Sequence, residues 1–227
     1  MKNKFLRKGQ GFAEYTIMIA LVLIIVISSL QLTGVSIKGL FCQAVIGLGG
    51  KPGLCSASLF QDDFNNLDQW KIISGKWKTD DGKLCGGPGE GRMFTDIPGA
   101  KDYVISLNGA KLDGGNGFGL YFRASNFSKV NGYDFQFDPG AAGFLFRRWY
   151  QGNELPAQSY VHKTDYDYYS QPHDIKVVVQ GDTFTTFIDG IQVNKVTDST
   201  YTDGGIGLRT WDNTTVCFDS IQVDPLP

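Results

Sequence analysis

The sequence predicts an α+β protein: a long hydrophobic N-terminal α-helix followed by an antiparallel β-sandwich. Three observations carry this. An almost uninterrupted apolar run, Ile17 to Ile27, stands behind a basic N-terminus. From Phe60 onward short apolar-alternating segments follow one another, separated by Asp-Gly and Gly-rich turns. The composition is rich in glycine (29 residues) and in Phe (16) and Tyr (10), which suits a sandwich better than a bundle.

The N-terminal element is taken first. Lys2, Lys4, Arg7 and Lys8 precede the apolar run. With Phe12, Ala13, Leu30 and Leu32 added, a helix from about Gly11 to Leu32 is long enough to span a bilayer, and the cations before it would keep the leader cytoplasmic. Glu14 lies at the apolar boundary, where an ionised carboxylate is costly unless paired. Removing the four leader cations would take the net charge from −2 to about −6. An acidic chain with no other Lys/Arg cluster is not expected to bind nucleic acid.

The stretch Lys8-Gly9-Gln10-Gly11-Phe12-Ala13-Glu14-Tyr15 with its apolar run resembles the N-terminus of type IV prepilins, the Flp or tight-adherence subgroup in particular. The resemblance implies cleavage after Gly9 by a prepilin peptidase, Gln10 as the first mature residue, and Glu14 and Tyr15 in assembly. It also implies a precursor in the inner or cytoplasmic membrane and a homo-oligomeric extracellular filament built by an assembly machinery. The domains expected are a leader (1–9), a transmembrane or filament-core helix (10–40), a disulfide-braced linker (41–59) and a head (60–227).

In the linker, Cys42 and Cys55 flank the breaker Gly47-Leu48-Gly49-Gly50-Lys51-Pro52-Gly53. Closing that loop would contribute about 3 kcal/mol on a chain-entropy estimate. The glycines lack a preceding strand and a Lys-Ser/Thr ending, which argues against a phosphate loop.

In the head, strands are expected over 70–78, 83–86, 91–95, 103–111, 117–124, 132–137, 143–149, 173–180, 183–188, 191–196, 204–210 and 215–223. Asp189-Gly190 is the clearest hairpin signal. Phe118, Leu120 and Phe122 alternate with Tyr121 and Arg123, and Ile175, Val177 and Val179 form another inward row. About a dozen such strands argue for two packed antiparallel sheets.

Phe60-Gln61-Asp62-Asp63-Phe64 with Trp70, Gly117 to Arg123, His173 to Val177, Phe187 to Gly190, Gly204 to Arg209 and Val216 to Val223 resemble, in order and spacing, the concanavalin-like jelly rolls of the laminin-G-like and keto-disaccharide-hydrolase-like group. In such folds the first and last strands lie together, which implies a Cys85–Cys217 disulfide; two buried free thiols are the alternative. Jelly rolls of this type often bind carbohydrate on one sheet. The candidate ligand-binding row is Tyr121, Arg123, Asp134, Gln136, Arg147 and Trp149, where aromatic faces meet sugar rings and Arg with Asp brackets hydroxyls. The stretch from Arg147 to Tyr150 and its loop to His162 is the most ligand-like.

No catalytic residue is assigned. Glu90 and Glu154 fall in expected turns, and Asp134 and Asp138 lack an acid partner. No cofactor is expected. Asp62, Asp63 and Asp219 are oxygen ligands of the kind calcium takes, but no dedicated loop is present. The function expected is a pilus subunit whose head is displayed for surface or glycan adhesion. The alternative is a membrane-tethered carbohydrate-binding module that does not polymerise.

Overall fold

The computed structural model describes residues 58–226. They form one unit made almost wholly of strands, with a single three-residue 3-10 turn, Phe127–Lys129. The α+β class is therefore corrected to an all-β sandwich. The described segments alternate with period two, the pattern of half-buried strands. The apolar run that suggested a helix, together with the leader, the linker up to residue 57, Cys42 and Cys55, lies outside the described residues. Among the described residues no helix is long and apolar enough to cross a membrane.

Seventeen strands follow in order: β1 Phe60–Asp62, β2 Lys71–Ser74, β3 Trp77–Asp80, β4 Lys83–Gly86, β5 Gly91–Thr95, β6 Tyr103–Gly114, β7 Phe118–Ser125, β8 Asn131–Asp138, β9 Gly143–Tyr150, β10 Asn153–Glu154, β11 Ser159–His162, β12 His173–Gln180, β13 Thr183–Ile188, β14 Ile191–Thr197, β15 Gly205–Thr210, β16 Thr215–Phe218 and β17 Ser220–Pro225. One sheet has nine strands in the order β14-β13-β12-β6-β16-β4-β3, with β17 also on β6 and β1 on β17. The other has eight, β10-β9-β8-β7-β15-β5-β2, with β11 also on β9. All pairings are antiparallel. The β13–β14 hairpin closes through Asp189-Gly190, both at positive φ (51° and 79°), which is the turn chemistry a two-residue hairpin requires.

Two expected strands are each split in two. The segment 70–78 becomes β2 and β3, which belong to different sheets. Gly75 sits at the break with φ +82°, and a Cβ there would lie 2.3 Å from Gly91 Cα. Only glycine lets the chain pass that close and cross between layers. The segment 215–223 becomes β16 and β17, split at Asp219, where the partner strand β6 carries Gly109 at φ +64°. The short strands β1, β10 and β11 were not expected from the pattern.

The inner faces meet in an aromatic core. Phe118, Leu120 and Phe122 of β7 and Tyr133, Phe135 and Phe137 of β8 face Ile175, Val177 and Val179 of β12 and Phe184 of β13, all essentially inaccessible. Each such side chain contributes about 1.5–3 kcal/mol by leaving water. Cys85 and Cys217 are register partners on β4 and β16 and are joined by a disulfide across 132 residues of chain.

Candidate functional site

With the inner face of the eight-stranded sheet spent on the core, the alternate residues define its outer face. The ladder aligns two rows there. One runs Arg147 (β9), Asp134 (β8), Tyr121 (β7), Gly207 (β15) and Phe94 (β5); the other runs Leu145, Gln136, Gly119, Arg209 and Arg92 on the same strands. Two glycines make room for larger neighbours. A Cβ on Gly119 would stand 2.4 Å from Asp134 Oδ1, and one on Gly207 would stand 2.3 Å from the Phe94 ring. The carboxyl and the phenyl ring thus lie down over bare backbone.

Asp134 is fully buried. Its Oδ2 accepts from Gln136 Nε2 (2.9 Å) and Trp149 Nε1 (3.3 Å), with Arg209 Nη1 at 4.0 Å. Its Oδ1, like the buried Tyr121 hydroxyl, has no hydrogen-bond partner among the described residues. Burial pushes the Asp134 pKa up to about 7, against the pull of Arg209 and with the help of Glu154.

Arg209 lies between two indoles, 4.7 Å from the Trp149 ring centre and 4.9 Å from that of Trp211. It donates to Glu154 Oε2 (2.6 Å) and Glu90 Oε1 (3.2 Å). Burial opposes its charge, and the acidic groups Tyr121, Asp134, Glu90 and Glu154 outweigh that, holding its pKa above the ordinary value. Arg147 Nε lies 2.9 Å from Glu154 Oε1 and donates to Gln136 Oε1 (2.8 Å). Arg92 Nε approaches Glu90 at 3.8 Å. Three guanidiniums and three carboxyls thus alternate across one patch, partly exposed at Glu90, Arg92, Arg147 and Glu154 and closed at Asp134.

The structure brings together five of the six residues singled out in the sequence: Tyr121, Asp134, Gln136, Arg147 and Trp149. Their expected role as an exposed platform is corrected for the aromatics. Tyr121 and Trp149 are buried in a small second apolar cluster with Phe94, Ala124 and Val130. Arg123 is the sixth and does not join them. It takes φ +45° where the β7–β8 register shifts, and its guanidinium is spent on the carbonyls of Tyr201 (3.0 Å), Lys101 (2.9 Å) and Gly181 (2.8 Å). Missing from the sequence-based set were Glu90, Arg92, Glu154, Arg209 and Trp211. Arg209 was within reach of the alternation, since Ile206 and Leu208 point inward. Glu154 was not, because a two-residue strand carries no period.

Among the described residues no three His, Cys, Asp or Glu side chains converge as a metal site. Asp62 accepts from Trp70 Nε1 and the Phe64 N–H, both at 2.7 Å, and Asp219 pairs with Lys83. Gly9, Gln10, Glu14 and Tyr15 lie outside the described residues.

A family model for a 3-keto-alpha-glucoside-1,2-lyase-like domain matches residues 56–224, most of the chain. The chain belongs to this family. Levanase of Bacillus subtilis (strain 168) is 29% identical over 155 residues, covering 67% of this chain and 22% of the levanase. The chain therefore spans only about a fifth of that relative's length. The carbohydrate binding module CBM66 from Bacillus subtilis superposes with a TM-score of 0.58 at 22% identity, over 67% of this chain and 94% of the module. A prokaryotic beta-1,3-1,4-glucanase (lichenase) from a mouse hindgut metagenome gives 0.55 at 16% identity, over 73% and 98%. These structures share the sandwich fold.

The matches overturn the identification as a type IV pilin. The family is set by the sandwich residues 56–224, and the similar proteins are a levanase, a carbohydrate binding module and a lichenase. With the pilin identity go the homo-oligomeric filament, the prepilin peptidase and assembly machinery as partners, and the membrane precursor as location. The physical weakness of that assignment is length. The uninterrupted apolar run holds eleven residues, against about 20 for a spanning helix, and the flanks that supply the rest include Glu14, Thr16, Ser28, Ser29 and Gln31.

The buried carboxyl gives a pH prediction. Asp134 titrates near 3.8 when unfolded and near 7 when folded, so between those values the folded state holds the extra proton. Its contribution is present below about pH 4 and is lost as pH rises through about 7, by about 4 kcal/mol at most. Asp189 and Asp198 have lowered pKa values and work in the opposite sense. The informative quantity is therefore wild type minus Asp134→Asn, measured by urea melts from pH 4.5 to 8. The variant should gain relative stability as pH rises; parallel curves would refute the assignment.

Proposed function

We propose that this domain is a carbohydrate-binding module that holds its glycan on the outer face of the eight-stranded sheet, with β-2,6-fructan as the first ligand class. The alternation of guanidinium and carboxyl groups around Arg209, itself held between Trp149 and Trp211, carries the proposal. Sugar hydroxyls both donate and accept; Glu90 and Glu154 accept, and Arg92, Arg147 and Arg209 donate, so neighbouring groups can bracket a vicinal diol. The indoles hold the central guanidinium flat, which preorganises its donors. Similarity to part of a levanase and to nearly all of a carbohydrate binding module supports a glycan ligand. The burial of Asp134 beneath Arg209 and Trp149 supports binding over hydrolysis, because it keeps that acid from a glycosidic oxygen. The test is titration calorimetry with levan, inulin and mixed-linkage β-glucan. Binding to levan without release of reducing ends is the expected result, and no binding to any of the three would overturn it.

An enzymatic role rests on one observation. Arg209 Nη1 lies 4.0 Å from Asp134 and 2.6 Å from Glu154, so the two carboxyls are neighbours, as the acid pair of a glycosidase must be. Reducing-end release abolished by both Asp134→Asn and Glu154→Gln would favour it.

A further inference from the structure

We propose that Tyr160 is an outlying stacking platform of an extended glycan-binding face, so that the domain grips several consecutive sugar rings. The inference rests on the binding role proposed above and adds the length of ligand recognised. Tyr160 stands on β11 in the same cross-strand row as Arg209: Tyr160 pairs with Leu145, Leu145 with Gln136, Gln136 with Gly119, and Gly119 with Arg209. Four strand spacings separate the two ends, about 19 Å, longer than one sugar ring; Leu145 and Gln136 between them are buried, so the ends of the row are what a ligand would touch.

On β11, Val161 packs against the core, so Tyr160 and His162 take the outer face. Tyr160 is 49% exposed and yet held in place. Its hydroxyl donates to the Ala141 carbonyl and lies 2.8 Å from His162 Nδ1, and its ring lies across Gly143, where a Cβ would come within 2.5 Å of Cε2. An exposed ring fixed at its far end loses little freedom when a sugar stacks on it. The other strongly exposed tyrosines lack this placement. Tyr150 alternates off the outer face of β9, and Tyr169 belongs to the loop before β12.

The test uses β-2,6-linked fructo-oligosaccharides of two to six units, titrated calorimetrically into the wild type, Tyr160→Ala and Tyr160→Phe, with thermal melts confirming that each variant folds. Wild-type affinity should rise about 3- to 10-fold from the shortest to the longest ligand. Tyr160→Ala should erase that rise, and Tyr160→Phe, which keeps the ring but not its anchor, should retain part of it. Affinity independent of length in the wild type, or a Tyr160→Ala loss equal at every length, would overturn the platform while leaving the binding role intact. Failure of the wild type to bind levan or any oligosaccharide would overturn the binding role, and this inference with it.

Discussion

Replacing Arg209 by alanine is expected to lower levan affinity about 100-fold and to destabilise the domain by about 2–4 kcal/mol. The binding loss follows from removing a guanidinium that sits between Trp149 and Trp211 and donates to both rim carboxylates, Glu90 and Glu154. One charge-assisted hydrogen bond is worth about 1.5–3 kcal/mol, and two lost contacts to a ligand reach two decades. The stability loss arises because Trp149 and Trp211 lose the guanidinium packed between them and Glu90 and Glu154 lose their shared cation; Asp134, its pKa pushed up to about 7, takes up a proton once Arg209 is gone and adds little. The partial exposure of Glu90 and Glu154 keeps the total toward the low end of what breaking a buried pair costs. Arg209→Lys separates the two effects. The ammonium keeps a charge between Glu90 and Glu154, so much of the stability should return, but it lacks the flat fork, so affinity should stay at least 10-fold down. Calorimetry and urea melts on both variants check this. Restoration of affinity by lysine would show that charge alone matters.

Loss of the Cys85–Cys217 disulfide should have the largest effect on the fold. The bond closes 132 residues of chain, and a loop of that size gives about 5 kcal/mol on the entropy model, with about 3–5 kcal/mol expected in practice. For a domain of this size that is a fall of about 10–15 °C in Tm. The double variant Cys85→Ser/Cys217→Ser, compared with wild type by calorimetry, measures it. The nine-stranded sheet should loosen first where the bond acts. β4 is held by β16 on one side and by the edge strand β3 on the other, so amide protection of 77–86 should drop before that of β12 and β13. Uniform loss of protection would contradict this.

The inner face was legible from residues alone. Phe118, Leu120 and Phe122, and Ile175, Val177 and Val179, alternate without interruption, and every one is buried. Asp189-Gly190 specifies its hairpin because few other residue pairs accept two positive φ angles. The layer change at Gly75 was not legible. Residues 70–78 keep the appearance of one strand, and the reason for the break, backbone contact with Gly91, lies sixteen residues away in sequence.

The site divides the same way. Tyr121, Asp134, Gln136 and Arg147 were visible as an outward row because period two is a local property. Whether an outward residue meets solvent is not local. Trp149 and Tyr121 are covered by neighbours from other strands, and Arg123 is turned aside by a register shift that its own sequence does not announce. The α+β assignment rested on an apolar segment that lies outside the described residues, whereas the described residues are strands almost throughout. Most of the longer strands, their buried faces and the tightest hairpin were readable from the residues, since these depend on side-chain alternation and on φ preferences of one or two residues; the breaks at Gly75 and Asp219 and the short strands β1, β10 and β11 were not. Only the tertiary structure decided that Arg209, Glu90 and Glu154 close over Asp134 beside two tryptophans. That patch is assembled from β8, β9, β10, β15 and the turn before β5, and strand pairing brings such distant residues within hydrogen-bond reach.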